Sequence, residues 1–145
     1  MTLKEFIWPL AELLFQGILT SILVLYIAQK YEKSRILHKA KAATILIHME
    51  LSEHIFILSE ILQHITTFNK DSSVTLDRSA WDNFCADIVP LISLSDMEML
   101  AAYYRSARMG NILIAPESKQ NHFDELRKIL DSAVICDNIL CSRLD

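Results

Sequence analysis

Glycine, proline and cysteine are nearly absent from this chain. Its 145 residues include two glycines, three prolines and three cysteines. No glycine occurs between Gly17 and Gly110, and the prolines are Pro9, Pro90 and Pro116. A β protein needs turn residues about every 8–12 positions, so the scarcity excludes one and the chain reads as all-α. The same scarcity removes the glycine-rich phosphate loops and dinucleotide fingerprints, and no G-x-S-x-G elbow is present. Cys85, Cys136 and Cys141 are odd in number and form no C-x-x-C. A disulfide framework is therefore excluded, and reduced thiols in a core are expected.

What is present begins with residues 6–29, FIWPLAELLFQGILTSILVLYIAQ. Between positions 13 and 28 only Gln16, Thr20 and Ser21 interrupt the apolar run. About 20 mostly apolar residues cross ~30 Å of hydrocarbon. A helix apolar on every side has no place in water. Residues 1–29 therefore read as a transmembrane helix. It is not a secretory signal, because the start pairs Lys4 with Glu5 and no small-x-small cleavage site follows. Residues 30–41 carry five bases against one acid. Such an excess stays in the cytoplasm and suits anionic headgroups. The N-terminus is placed outside, and residues 30–145 form a cytosolic domain behind a basic juxtamembrane collar at 30–41. The expected location is a bacterial inner membrane, crossed once.

The span carries a polar stripe. Glu12, Gln16 and Thr20 follow i, i+4, i+8 and share one face. Gly17 and Ser21 form a small-xxx-small pair beside it. Two readings stand. Several copies assemble with Glu12 and Gln16 turned inward, as glue or as a pore lining, or Glu12 lies shallow and snorkels outward.

The cytosolic part reads as a four-helix bundle. Residues 30–68 hold no Gly or Pro, and Leu51, Ile55, Leu58, Leu62 and Ile65 step as a helical seam. Span and first cytosolic helix make one rod of up to ~60 residues, about 90 Å, or bend near 30–40. Residues 69–76 are a polar loop. Ser79 with Asp82 caps a short second helix holding Trp81, Phe84, Cys85 and Ile88, ended or kinked by Pro90. Ser95 and Glu98 form a capping box for a third helix through Met97, Leu100, Ala101 and Tyr104. A fourth starts at Ser118 or Asn121, with Phe123, Leu126, Leu130, Ala133, Val134 and Leu140 on its inner face.

Chemistry is sparse. His48, Glu50, Glu53, His54, Glu60 and His64 recur on the first cytosolic helix. A di-metal bundle draws Glu-x-x-His from two helices. Here the spacing differs, one helix supplies all the groups, and the acids are expected to face solvent, so no metal and no cofactor is assigned. No Arg precedes a His at the spacing that small helical ribonucleases use, and no activated Cys or Ser is evident. The reading is non-enzymatic. Residues 42–145 hold eight bases and fifteen acids, a poor footprint for double-stranded nucleic acid. One local basic group remains: Arg105 and Arg108 beside Tyr104, with Lys119, Asn121, Arg127 and Lys128 near the start of the next helix. Arginine forks and a helix N-terminus bind phosphate, and tyrosine stacks on bases. Ordinary surface bases balancing Glu117, Asp124 and Glu125 are the other reading.

At residues 81–111, WDNFCADIVPLISLSDMEMLAAYYRSARMGN, the chain resembles small bacterial proteins that join one N-terminal span to a helical domain with a Trp and a Tyr-rich helix. In layout it is similar to the small membrane-bound accessory effectors of type III CRISPR systems. That resemblance implies a homo-oligomer on the lipid bilayer in antiviral defence. Its cytosolic domain would sense a cyclic oligoadenylate and perturb or gate the membrane. It brings no site residue with it. The alternative expectation is a membrane-tethered docking module for another protein.

Overall fold

The computed structural model describes residues 3–64, 73–109, 112–113 and 119–144, and the side chains at 3–7, 9–11, 73–74, 108–109, 112–113 and 119–122 lie outside that description. The chain is all-α. Among the described residues four helices follow in order: α1 Leu3–His64, α2 Ser79–Phe84, α3 Leu94–Met109 and α4 Lys119–Leu144. The β structure among the described residues is one two-residue antiparallel pairing, with Ser73 opposite Leu113 and Val74 opposite Ile112. It joins the connection after α1 to the connection after α3.

Two compact units divide the chain, Met1–His38 and Lys39–Asp145. The first is a single stretch of α1. Leu13, Phe15, Ile18, Leu19, Ile22, Leu23, Val24, Leu25 and Ile27 are all more than half exposed, and they cover every face of the helix. α1 is long and apolar enough to cross a membrane, with none of its apolar window buried.

The second unit has the core. α1 contributes a stripe: Ala40, Ala43, Ile47, Leu51, Leu58 and Ile61 are buried. Opposite it lie Leu100, Tyr103, Tyr104 and Ala107 of α3, and Leu126, Ala133, Cys136 and Leu140 of α4. Trp81 and Ile88 close one side. Burying one such Leu or Ile contributes about 1.5–3 kcal/mol. α3 and α4 run closest along their backbones. They are antiparallel: Arg143 near the end of α4 donates to Asp96 in the first turn of α3, at 3.0 Å.

Several expectations move. The α1 stripe includes Thr44, Glu50 and His54 as buried positions, whereas Ile55 and Leu62 are only half-buried. Glu50 therefore does not face solvent, although Glu53 and Glu60 do. The α3 capping box is Ser93 with Asp96, two residues earlier than Ser95 with Glu98. The Asp96 amide donates to Ser93 Oγ at 3.2 Å, and the Ser93 hydroxyl, followed by Arg143, holds the Asp96 carboxyl below its ordinary range. α2 stops at Phe84, and residues 85–91 continue as turns in which the Asp87 amide reaches the Phe84 carbonyl at 2.9 Å. Pro90 lies in those turns. On α4, Val134 is exposed and Cys136 takes the inward place. Ser118 and Ile65 lie outside the described residues.

Candidate functional site

The buried polar groups of the second unit gather where α1, α2 and α3 meet. The first amides of a helix have no partner inside it. In α2 they are supplied by two carboxylates. Asp77, just ahead of the helix, accepts from the Arg78 amide at 2.7 Å and the Ser79 amide at 3.0 Å. Glu50, from α1, accepts from the Ala80 amide at 2.6 Å and the Trp81 amide at 3.3 Å. The cap expected from Ser79 and Asp82 is thus made by other residues. Asp82 instead accepts from Arg78 at 2.8 Å. The Ser79 hydroxyl, more than any other group, keeps the Asp77 carboxyl below its ordinary range.

One turn along α1, His54 is 1% exposed. Its Nε2 meets the backbone carbonyl of Asp77, and its Nδ1 lies 2.8 Å from the Tyr103 hydroxyl. A carbonyl only accepts, so Nε2 carries a proton. Burial disfavours the charged ring, and in the neutral ring Nδ1 accepts from the Tyr103 hydroxyl. Burial drives the His54 pKa below the ordinary 6.5, against the opposing pull of the Asp77 carbonyl and Glu50. Tyr104 stacks flat on Trp81, with centroids 4.6 Å apart and planes at 11°. It also meets Tyr103 edge-on at 5.1 Å. The Tyr104 hydroxyl is buried with no partner in hydrogen-bonding geometry among the described residues. Burial first, and the Glu50 carboxylate second, raise its pKa above the ordinary 10.0. The cluster holds elements in place: both ring nitrogens of His54 and both oxygens of Glu50 are engaged.

A second group joins α1 to α4. His48 Nδ1 lies 2.6 Å from Asp137 Oδ1. Cys141 Sγ lies 3.7 Å from the same nitrogen and 4.0 Å from Nε2. His48 and Asp137 are each partly exposed, at 29% and 20% of their side chains. Cys141 is exposed, which corrects its expected place in the core, while Cys136 is buried and its thiol is pushed up to about 11 by that burial.

Arg105, Arg127 and Lys128 are exposed on α3 and α4. Arg105 turns back on its own helix, with Nε donating to the Ala101 carbonyl at 3.3 Å. The side chains of Arg108, Lys119 and Asn121 lie outside the described residues. Tyr104 is fully buried and Trp81 already covers its ring, so no base can stack on it and it leaves the proposed ligand set. In the first unit, Thr20 Oγ1 donates to the Gln16 carbonyl and Ser21 Oγ to the Gly17 carbonyl, each at 2.8 Å.

Sequence reasoning placed Glu50 on a solvated face and missed its joint role with His54. The signal available was weak: both sit within one residue of the apolar seam, where a helix face is only half decided by pattern. No family model, curated protein or solved structure matches the chain.

Proposed function

We propose that the chain is a non-enzymatic, single-span membrane effector that works as a homo-oligomer. Its helical domain lies on the cytosolic side of a bacterial inner membrane and receives a signal. The observation that carries the reading is the apolar surface of α1 over 13–27, each large apolar side chain more than half exposed, followed at once by the Lys/Arg-rich segment 30–41. Lipid is the one solvent that makes that surface favourable. Self-assembly is supported by the polar stripe. The Thr20 and Ser21 hydroxyls are satisfied inside their own helix. Among the described residues the Glu12 carboxyl and Gln16 amide make no such bond, and a second copy would supply partners for them. Gly17 has open space around it, so a neighbouring helix could approach there. An antiviral signal such as a cyclic oligoadenylate rests on the resemblance in layout, and on Arg105, Arg127 and Lys128 as exposed cations.

The test is the mass of the detergent-purified full-length protein, with and without cyclic oligonucleotides. A defined oligomer that shrinks on Glu12→Leu with Gln16→Leu supports the assembly. A monomer in every detergent sinks it. A rise in thermal stability with one nucleotide, lost on charge reversal at Arg105 and Arg127, supports the ligand.

A docking module is the second reading. One specific observation favours it: Ile45, Met49 and Phe56 are exposed at helical spacing on α1 of the second unit, the pattern by which one helix is read by a groove.

A further inference from the structure

We propose that His48, Asp137 and Cys141 form a binding site for a borderline-soft divalent cation, Zn²⁺ foremost, that ties α1 to α4. The inference rests on the fold of the second unit and does not depend on the membrane reading.

The donor atoms come from two helices. Asp137 and Cys141 are i, i+4 on α4 and so share one face, and His48 reaches them from α1. One nitrogen, one carboxylate oxygen and one sulfur all lie within 4.8 Å of one another. A tetrahedral Zn²⁺ takes nitrogen and oxygen at about 2.0 Å and sulfur at about 2.3 Å, which sets N···O near ~3.3 Å and N···S near ~3.5 Å. The observed N···S separation of 3.7 Å is already close to that value. The N···O separation of 2.6 Å is shorter, because a hydrogen bond now holds the pair where the cation would stand. The pair would open by about 0.7 Å to admit the ion, within the reach of two partly exposed side chains.

The chemistry of the set selects the ion. Imidazole, thiolate and carboxylate together favour Zn²⁺ or Co²⁺ over Mg²⁺ and Ca²⁺, which take oxygen ligands. One thiolate and one carboxylate balance the two positive charges, with a neutral imidazole as the third ligand. The carboxylate accepts from Nδ1, so that nitrogen carries the proton in the metal-free pair. On binding, that proton moves to Nε2 and Nδ1 takes the metal. The thiol gives up its proton to solvent as the S–Zn bond forms, for a net release of one proton per ion. The partial exposure of His48 and Asp137 gives the ion a way in and leaves a fourth position for water. Three protein ligands with an open position is the pattern of an exchangeable or reactive centre, not of a closed structural one.

The experiment uses full-length protein in detergent. Co²⁺ is titrated while the near-ultraviolet thiolate-to-cobalt band and the visible bands of tetrahedral Co²⁺ are followed. The expected result is one ion per chain. The thiolate band is lost in Cys141→Ser and kept in Cys85→Ser, and affinity falls about tenfold or more in His48→Gln. Circular dichroism checks that each variant keeps its helix content. A readout on the unaltered chain runs beside it: Zn²⁺ slows alkylation of Cys141 and Mg²⁺ does not. Absence of a thiolate band at millimolar Co²⁺, a band that survives Cys141→Ser, or alkylation unchanged by Zn²⁺ overturns the site and leaves His48–Asp137 as an interhelical hydrogen bond.

Discussion

Between residues 12 and 29 of α1, hydroxyls bond to their own helix and large apolar side chains stand exposed on every face. Between residues 40 and 61 of the same helix, one stripe is buried, and the polar groups within it are paired by other elements. The helix is built from the same backbone bonds in both stretches. What differs is the source of partners. A lipid environment would offer no solvent bond, so a polar side chain there would bond to its own turn or to another copy. In a folded domain a carboxylate can be buried if helix amides meet it, as those of α2 meet Glu50. Polar groups on one helix thus turn to their own backbone in the first stretch and to other elements in the second.

The largest expected break in this comparison is a charge in the first stretch. Leu19→Arg with Leu23→Arg adds roughly 2.5–3.5 kcal/mol per residue to the cost of insertion. Membrane flotation of the full-length protein should shift from the bilayer fraction to the soluble or aggregated fraction. A variant that still floats would mean that this stretch does not cross.

Next comes the second stretch's own charge. Glu50→Ala leaves the Ala80 and Trp81 amides without their acceptor and opens a cavity beside Trp81. The expected loss is about 3 kcal/mol, read as a lower midpoint in denaturant. A loss below about 1 kcal/mol would show that the carboxylate is not needed to hold α2.

A pH series sharpens the comparison at His54. Its folded pKa is depressed below 6.5, so the folded state binds fewer protons than the unfolded chain beneath that value. Stability from His54 is present above pH 6.5 and is lost as pH falls from there toward the folded pKa. The thermal midpoint should drop between pH 7.5 and 5.5 by more in the natural chain than in His54→Gln. Asp77 and Asp96 act in a separate window. Their depressed values hold stability above 3.8 that is lost only at lower pH.

The smallest effects separate two neighbouring tyrosines. Tyr103→Phe removes the donor to His54 Nδ1 and should cost about 1–2 kcal/mol. Tyr104→Phe removes a buried hydroxyl that lies near the Glu50 carboxylate but has no partner in hydrogen-bonding geometry among the described residues. It keeps the stack on Trp81, so it should cost less than Tyr103→Phe. Equal losses at the two positions would contradict the assigned hydrogen bonds.

Much of this was legible in the order of residues. The apolar run at 13–28 and the lack of glycine decided an apolar first helix and an all-α chain, because these depend on local composition; that the helix runs unbroken from Leu3 to His64 was left open by the sequence. Leu100, Leu126, Ala133 and Leu140 were legible as core from helical spacing alone. The helix starts were less so. Ser93 and Ser95 each precede an acid by three residues, and only the pairing of Asp96 with Arg143 on α4 favours the first.

The tertiary structure alone decided the fate of the polar residues. Glu50 and Glu53 look alike in sequence, yet one caps α2 and the other faces solvent. His48 and His54 lie six positions apart; one meets Asp137 and Cys141 from the far end of the chain and the other meets Asp77 and Tyr103. Apolar burial follows from a side chain's own transfer free energy, which composition carries. Burial of a charge or an imidazole depends on a partner of fixed geometry, supplied by residues distant in sequence, and that is settled only when the helices pack.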